Sequence, residues 1–138
     1  TDHPWLTQKW VRKICDEFYG TEGIHGYGYG QDEDQGQLGS WYVMSSMGLF
    51  DVKGLTETNP SFQIGSPMFD NIQIENGYGH RIVIETKNNK PNNYYVQSVK
   101  LNGEPLKENS VPLSTLKKGA TLEFVMGDQP NRNLFKTE

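Results

Sequence analysis

The residues best suited to chemistry lie together in Gly26-Tyr27-Gly28-Tyr29-Gly30-Gln31-Asp32-Glu33-Asp34-Gln35-Gly36-Gln37. Three consecutive acids repel one another, and a following helix N-terminus offsets that only in part. Such clusters mark metal sites and acid/base sites, although structural charge clusters occur too. The plain reading is an exposed acidic loop in which Asp34 caps the next helix.

Three chemistries compete with that reading. Phosphate binding suits the Gly26, Gly28, Gly30 run ahead of a helix, but the anion would meet Asp32, Glu33 and Asp34, and no P-loop lysine follows. An EF-hand begins correctly at Asp32, Asp34 and Gly36. It then fails, because Gly36 falls on the third ligand position and Val43 on the twelfth. Calcium held in another geometry stays open. The third chemistry is hydrolysis of a glycosidic bond by inversion, which needs a carboxylate base to activate water and a separate protonated acid. In an extended segment residues two apart point the same way. Asp32 and Asp34 then face one shared water, one as base and the other tuning it. Tyr27, Tyr29 and Trp41 are candidate walls for a sugar, with core packing the favoured alternative for Trp41.

Other reactive side chains read as structural. His25 lies near the acids but in a loop where a solvated histidine is commoner. His3 and His80 read as surface residues. Cys15 falls on an apolar stripe and reads as a buried, inert thiol.

Two helices must carry the acidic segment. Pro4 suits a first helical turn. Leu6, Trp10, Ile14 and Phe18 recur every fourth residue, with Val11, Cys15 and Tyr19 alongside. Residues 4–19 therefore predict an amphipathic helix with one wide apolar stripe, stopped by Gly20. A second helix is expected from about Asp34 to Met47, with Leu38, Trp41, Tyr42 and Ser45 on one face and Gly48 at its end. Beyond residue 60 the apolar residues alternate, as in Ile72/Ile74, Ile82/Ile84 and Leu122/Phe124/Met126. Asn76-Gly77 and Asn102-Gly103 are hairpin signals. The expected fold class is α+β: helices over residues 1–50, then a small antiparallel sheet or sandwich over residues 51–138. Two helices alone make a poor α domain, which points to a helical partner upstream.

The run Asp32-Glu33-Asp34-Gln35-Gly36-Gln37-Leu38-Gly39-Ser40-Trp41-Tyr42-Val43 resembles the acidic signature of glycoside hydrolase family 92, which are calcium-dependent exo-acting α-mannosidases. Pro4-Trp5-Leu6-Thr7-Gln8 with Val11-Arg12 is similar to that family's lead-in helix. Ser46-Met47-Gly48-Leu49-Phe50, Phe62-Gln63-Ile64-Gly65-Ser66-Pro67-Met68-Phe69 and Tyr95–Gly103 are similar to later stretches of it. Gln35, Gly39-Ser40 and Gln31 depart from the commoner residues.

The resemblance implies that Asp32 and Asp34 carry the catalytic base and that residues 1–50 are the last helices of an (α/α)6 barrel. It implies calcium as cofactor, with its ligands and the general acid upstream of this chain. The partners it implies are a mannose-containing glycan and the rest of the parent chain. The isolated piece is then expected to be inactive. The competing expectation is a non-catalytic carbohydrate-binding or structural β module.

Bulk properties narrow the partners. A net charge of −4, with Lys and Arg scattered, gives no basic patch for nucleic acid or an anionic membrane. No run of about 20 apolar residues is present. The chain opens without Met, as expected for a piece cut from a longer protein, and the single Cys15 excludes an internal disulfide. The compartment, secreted or cytoplasmic, is left open.

Overall fold

A computed structural model of the chain describes residues 3–19 and 35–136. Helix α1 spans Pro4–Phe18 and α2 spans Gln37–Ser46. Eight strands follow: β1 (Leu49–Phe50), β2 (Ser61–Ile64), β3 (Asn71–Glu75), β4 (Arg81–Lys87), β5 (Tyr95–Leu101), β6 (Glu104–Pro105), β7 (Ser110–Pro112) and β8 (Ala120–Gly127). A short helix α3 (Leu113–Lys117) joins β7 to β8.

The strands form two sheets. One is antiparallel in the order β1-β2-β7; the other runs β3-β4-β8-β5-β6. The α+β class is as expected, with one difference in the sheet. β4 and β8 pair in parallel, Ile82 opposite Ala120 through Lys87 opposite Val125. The path through β5, β6, β7 and α3 returns the chain to β4 in the same direction, which a short hairpin cannot do.

The core lies between the sheets. Leu49, Ile64 and Val111 from the first sheet meet Ile82, Ile84, Val96, Val99, Leu122, Phe124 and Met126 from the second. Alternation along β4 and β8 drives this, since every second side chain turns inward. Asn102 and Gly103 both take positive φ, 52° and 86°, and form the tight β5–β6 turn that Asn-Gly favours. The β3–β4 hairpin is different. Its loop covers residues 76–80, and positive φ falls on Gly79, not Gly77. There the Asn76 Oδ1 accepts hydrogen bonds from the backbone N–H groups of Tyr78 and His80, each at 3.0 Å.

Helix α1 has the expected length but buries a different face. Pro4, Gln8, Arg12 and Cys15 are buried, whereas Leu6, Trp10, Ile14 and Phe18 are exposed. The polar pair does the docking. Gln8 Oε1 accepts a hydrogen bond from the Val96 N–H at 3.0 Å. Arg12 donates to the Pro67 carbonyl, and its Nη1 also reaches Ser66 Oγ at 3.4 Å and Asn89 Oδ1 at 3.5 Å. Its guanidinium lies over the Tyr94 ring, 5.6 Å from the centroid. A β-sheet edge and a turn present unpaired backbone groups, so a helix that covers them needs polar side chains there.

Candidate active site

Asp32 and Asp34, the two candidate catalytic carboxylates, lie outside the described residues, as do His25, Tyr27 and Tyr29. Both ends of the segment that carries them are described. It leaves α1 at Tyr19, which is extended (φ −108°, ψ 127°). It returns through Gln35 and Gly36, both left-handed at φ 55° and 85°. Placing Gln35 there costs about 1–2 kcal/mol. The Ser40 N–H donates to the Gly36 carbonyl at 2.8 Å and fastens that turn to α2.

The helix cap differs from expectation. Gly36 occupies the N-cap position of α2, so Asp34 does not, and the helix begins at Gln37. Successive left-handed residues reverse the backbone before the helix can start, which moves its first turn past the acids. At the other end Met47 caps the helix and Gly48, at φ 73°, turns the chain into β1.

Tyr19, just beyond α1, packs on α2 through aromatic rings. Tyr19 stacks on Trp41 with centroids 5.4 Å apart and planes at 28°, and on Tyr42 at 5.0 Å and 14°. Each such pair contributes about 0.5–1.5 kcal/mol beyond its buried area. Trp41 is half-buried and serves packing as well as lining. With Val11, Ser45, Leu49, Phe50 and Ile64 it walls a mainly apolar hollow of about 330 Å³ between the helices and the first sheet.

A second hollow, about 420 Å³, has a mixed polar and apolar lining that includes Arg12, Asp16, Asn89, Lys90, Asn92 and Tyr94. Burial lowers the pKa of Arg12, and the nearby Asp16 carboxylate opposes that. Its hydrogen bonds are to groups of the protein itself, which makes Arg12 an anchor for α1. Cys15 is buried, and burial together with Asp16 pushes its thiol up to about 11, as an inert thiol requires. His3 and His80 are exposed. Among the described residues no three His, Cys, Asp or Glu side chains gather where they would hold a metal ion.

Sequence reasoning gave Gln8 and Arg12 no anchoring role and treated Tyr19 only as a flank of the apolar stripe. The spacing of four between Gln8 and Arg12, which puts both on one helix face, was the available signal.

Two helices packed through stacked aromatics, over a two-sheet core, give the described residues an α+β fold. The model of the Glycosyl hydrolase family 92 catalytic domain matches residues 1–128, and the chain belongs to that family. The structure is similar to that of the family GH92 α-mannosidase BT3965 from Bacteroides thetaiotaomicron, at 30% identity and a TM-score of 0.88, over 99% of this chain and 18% of that one. The same enzyme in complex with mannoimidazole gives 0.87 at 30% identity, over 99% and 17%. The inverting mannosidase BT2199 from Bacteroides thetaiotaomicron VPI-5482 gives 0.80 at 31% identity, over 98% and 18%. The chain thus spans less than a fifth of these solved relatives. No curated protein sequence matches it.

Proposed function

We propose that this chain is the C-terminal part of an inverting exo-α-mannosidase, in which Asp32 and Asp34 supply the general base. Its similarity over 99% of its length to a family GH92 α-mannosidase carries the reading. BT2199 is described as inverting, and the BT3965 complex contains mannoimidazole, which supports a terminal mannose as the sugar cleaved.

The chemistry follows from the two carboxylates. One of Asp32 and Asp34 removes a proton from water as that water attacks the anomeric carbon. The other orients the water or tunes the base. A carboxylic acid across the site, about 6.5–9.5 Å away, protonates the departing glycosidic oxygen. That acid belongs to a segment upstream of this chain. Calcium dependence is part of the proposal, with ligands also upstream, and the steps assigned to this chain run through carboxylate and water. Residues 1–50 are the last helices of an (α/α)6 barrel and residues 51–138 the closing β segment. The outward apolar row of α1, Leu6, Trp10, Ile14 and Phe18, supports this, because it fits a seam with further helices.

The test is release of free mannose from a panel of α-mannobioses by the full-length parent, with and without a calcium chelator. Calcium-dependent release is expected, together with collapse of turnover in Asp34→Asn or Asp32→Asn at unchanged thermal stability. No release from any linkage overturns the mannosidase reading, and near-normal turnover in both variants overturns the base assignment.

A further inference from the structure

We infer that the hollow between α1 and the β4–β5 loop is a sugar-binding site, which takes one neutral pyranose of a glycan through Asp16, Asn89, Lys90 and Asn92. That the pyranose is a mannose rests on the mannosidase reading; the site itself rests on its own geometry.

The loop of residues 88–94 carries four asparagines, and the fold divides them into two pairs. Asn88 and Asn93 fix the loop. The Asn88 Nδ2 donates to the Met126 carbonyl at 2.8 Å, and the Asn93 Nδ2 donates to the Asn88 carbonyl at 2.7 Å. Asn88 and Asn92 take positive φ, 58° and 70°, which asparagine tolerates better than most residues. Asn89 and Asn92 line the hollow. Their Oδ1 atoms accept only long hydrogen bonds, from Arg12 Nη1 at 3.5 Å and from the Tyr94 hydroxyl at 3.3 Å. Their Nδ2 groups donate to none of the described residues. The Asp16 carboxylate and the Lys90 ammonium line the same hollow and form no ion pair among the described residues.

The charges select the ligand. An anion drawn by Arg12 and Lys90 meets Asp16, and a cation drawn by Asp16 meets Arg12 and Lys90. A hydroxyl both donates and accepts, so a neutral polyol uses every group: Asp16 accepts from it, while Asn89, Asn92 and Lys90 donate to it. Met68, Pro91 and Tyr94 complete the lining and offer apolar surface to the C–H face of a pyranose. Arg12 is committed to Ser66 and Pro67 and serves as a wall, with its guanidinium over the Tyr94 ring. The volume of about 420 Å³ falls within the usual range for small-molecule pockets, about 300–1,000 Å³.

The experiment uses the full-length parent, with methyl α-mannopyranoside as probe and amide hydrogen exchange across residues 88–94 as readout. Exchange there is expected to slow about 10-fold at a probe concentration of about ten times Kd. Asn89→Ala is expected to raise Kd by about 2- to 10-fold, the range for one lost hydrogen bond. Asp16→Ala raises it further, because hydrogen bonds to a carboxylate are charge-assisted. Where Asn89→Ala does not fold, Asp16→Asn, at an exposed helix position, carries the expectation of weakened binding. Exchange that stays unchanged at every probe concentration overturns the site. So does slowing that the variants leave untouched, because the sugar then acts through other residues. Equal slowing by inorganic phosphate at matched concentration overturns the assignment to a neutral ligand. Mannose release from the mannobiose panel is measured on the same protein. Release without slowed exchange leaves the mannosidase reading standing and sinks the sugar site alone; slowed exchange without release does the reverse.

Discussion

Gln8 on α1 and Val96 on β5 are joined by a hydrogen bond of 3.0 Å across 88 positions of sequence. Both residues are buried, and the Val96 N–H lies where β6 does not reach, because β6 pairs only with Lys100 and Leu101. The helix side chain thus takes the place of a missing strand. Gln8→Leu keeps the volume and removes the acceptor. It also removes the Gln8 Nε2, which has no partner of its own. The gain and the loss partly cancel, so the expected cost is about 1–2 kcal/mol, read from urea unfolding. An unchanged midpoint would falsify the bridging role.

Gly48 faces Pro67 at the corner between α2 and β1. A Cβ placed on Gly48 would stand 2.8 Å from Cδ, Cγ and the backbone nitrogen of Pro67, and φ is 73°. Strain and overlap therefore act together. Gly48→Ala is expected to cost at least about 2 kcal/mol, seen as a lower melting temperature. Gly77→Ala has nothing within 4 Å of the added carbon and serves as the comparison, with little change expected.

Cys15 gives a pH signature. Its thiol is raised from 9.0 to about 11, chiefly by burial and then by Asp16. The folded state therefore holds this proton more tightly than the unfolded chain. The stabilisation is complete below about pH 9 and is lost as pH rises towards 11. At about 1.4 kcal/mol per pH unit the loss amounts to about 2–3 kcal/mol. Unfolding free energy measured from pH 8 to 11 should fall more steeply in the wild type than in Cys15→Ala. Equal slopes would remove the linkage. Slow reaction of Cys15 with a thiol reagent at pH 8 is the companion expectation.

The elements built from local pattern were legible in the sequence. Helix α1, the β5–β6 turn at Asn102-Gly103 and the alternation of Leu122, Phe124 and Met126 follow from spacing and turn chemistry alone. The parallel pairing of β4 with β8 was not legible, because it depends on the whole path between them and leaves no local mark. The β3–β4 loop departed from the Asn-Gly pattern because the Asn76 side chain bonds backbone N–H groups two and four residues on. The inward face of α1 was misjudged for a physical reason. An apolar row marks a surface to be buried but not which partner buries it, and here the sheets take Gln8 and Arg12 instead. The acidic residues Asp32 and Asp34 lie outside the described residues, while the stacking of Tyr19 on Trp41 and Tyr42 needed the fold to bring residues 19 and 41 together.

Trp10 separates the two environments of α1. It is 55% exposed, with the ammonium groups of Lys9 and Lys13 5.4 and 5.8 Å from its ring centroid. In the 138-residue chain Trp10→Glu removes little buried area, so stability should change by no more than about 0.5 kcal/mol. The new carboxylate also lies near two lysines. In the full-length parent the same ring is proposed to sit in a seam between helices, where a buried, unpaired charge costs about 3–5 kcal/mol. Guanidinium unfolding of both proteins, each with and without Trp10→Glu, distinguishes the cases. A loss above about 2 kcal/mol in the short chain means that the row already has a partner within it. A loss below about 1 kcal/mol in the parent means that the row faces solvent there too and that the seam lies on another surface of α1.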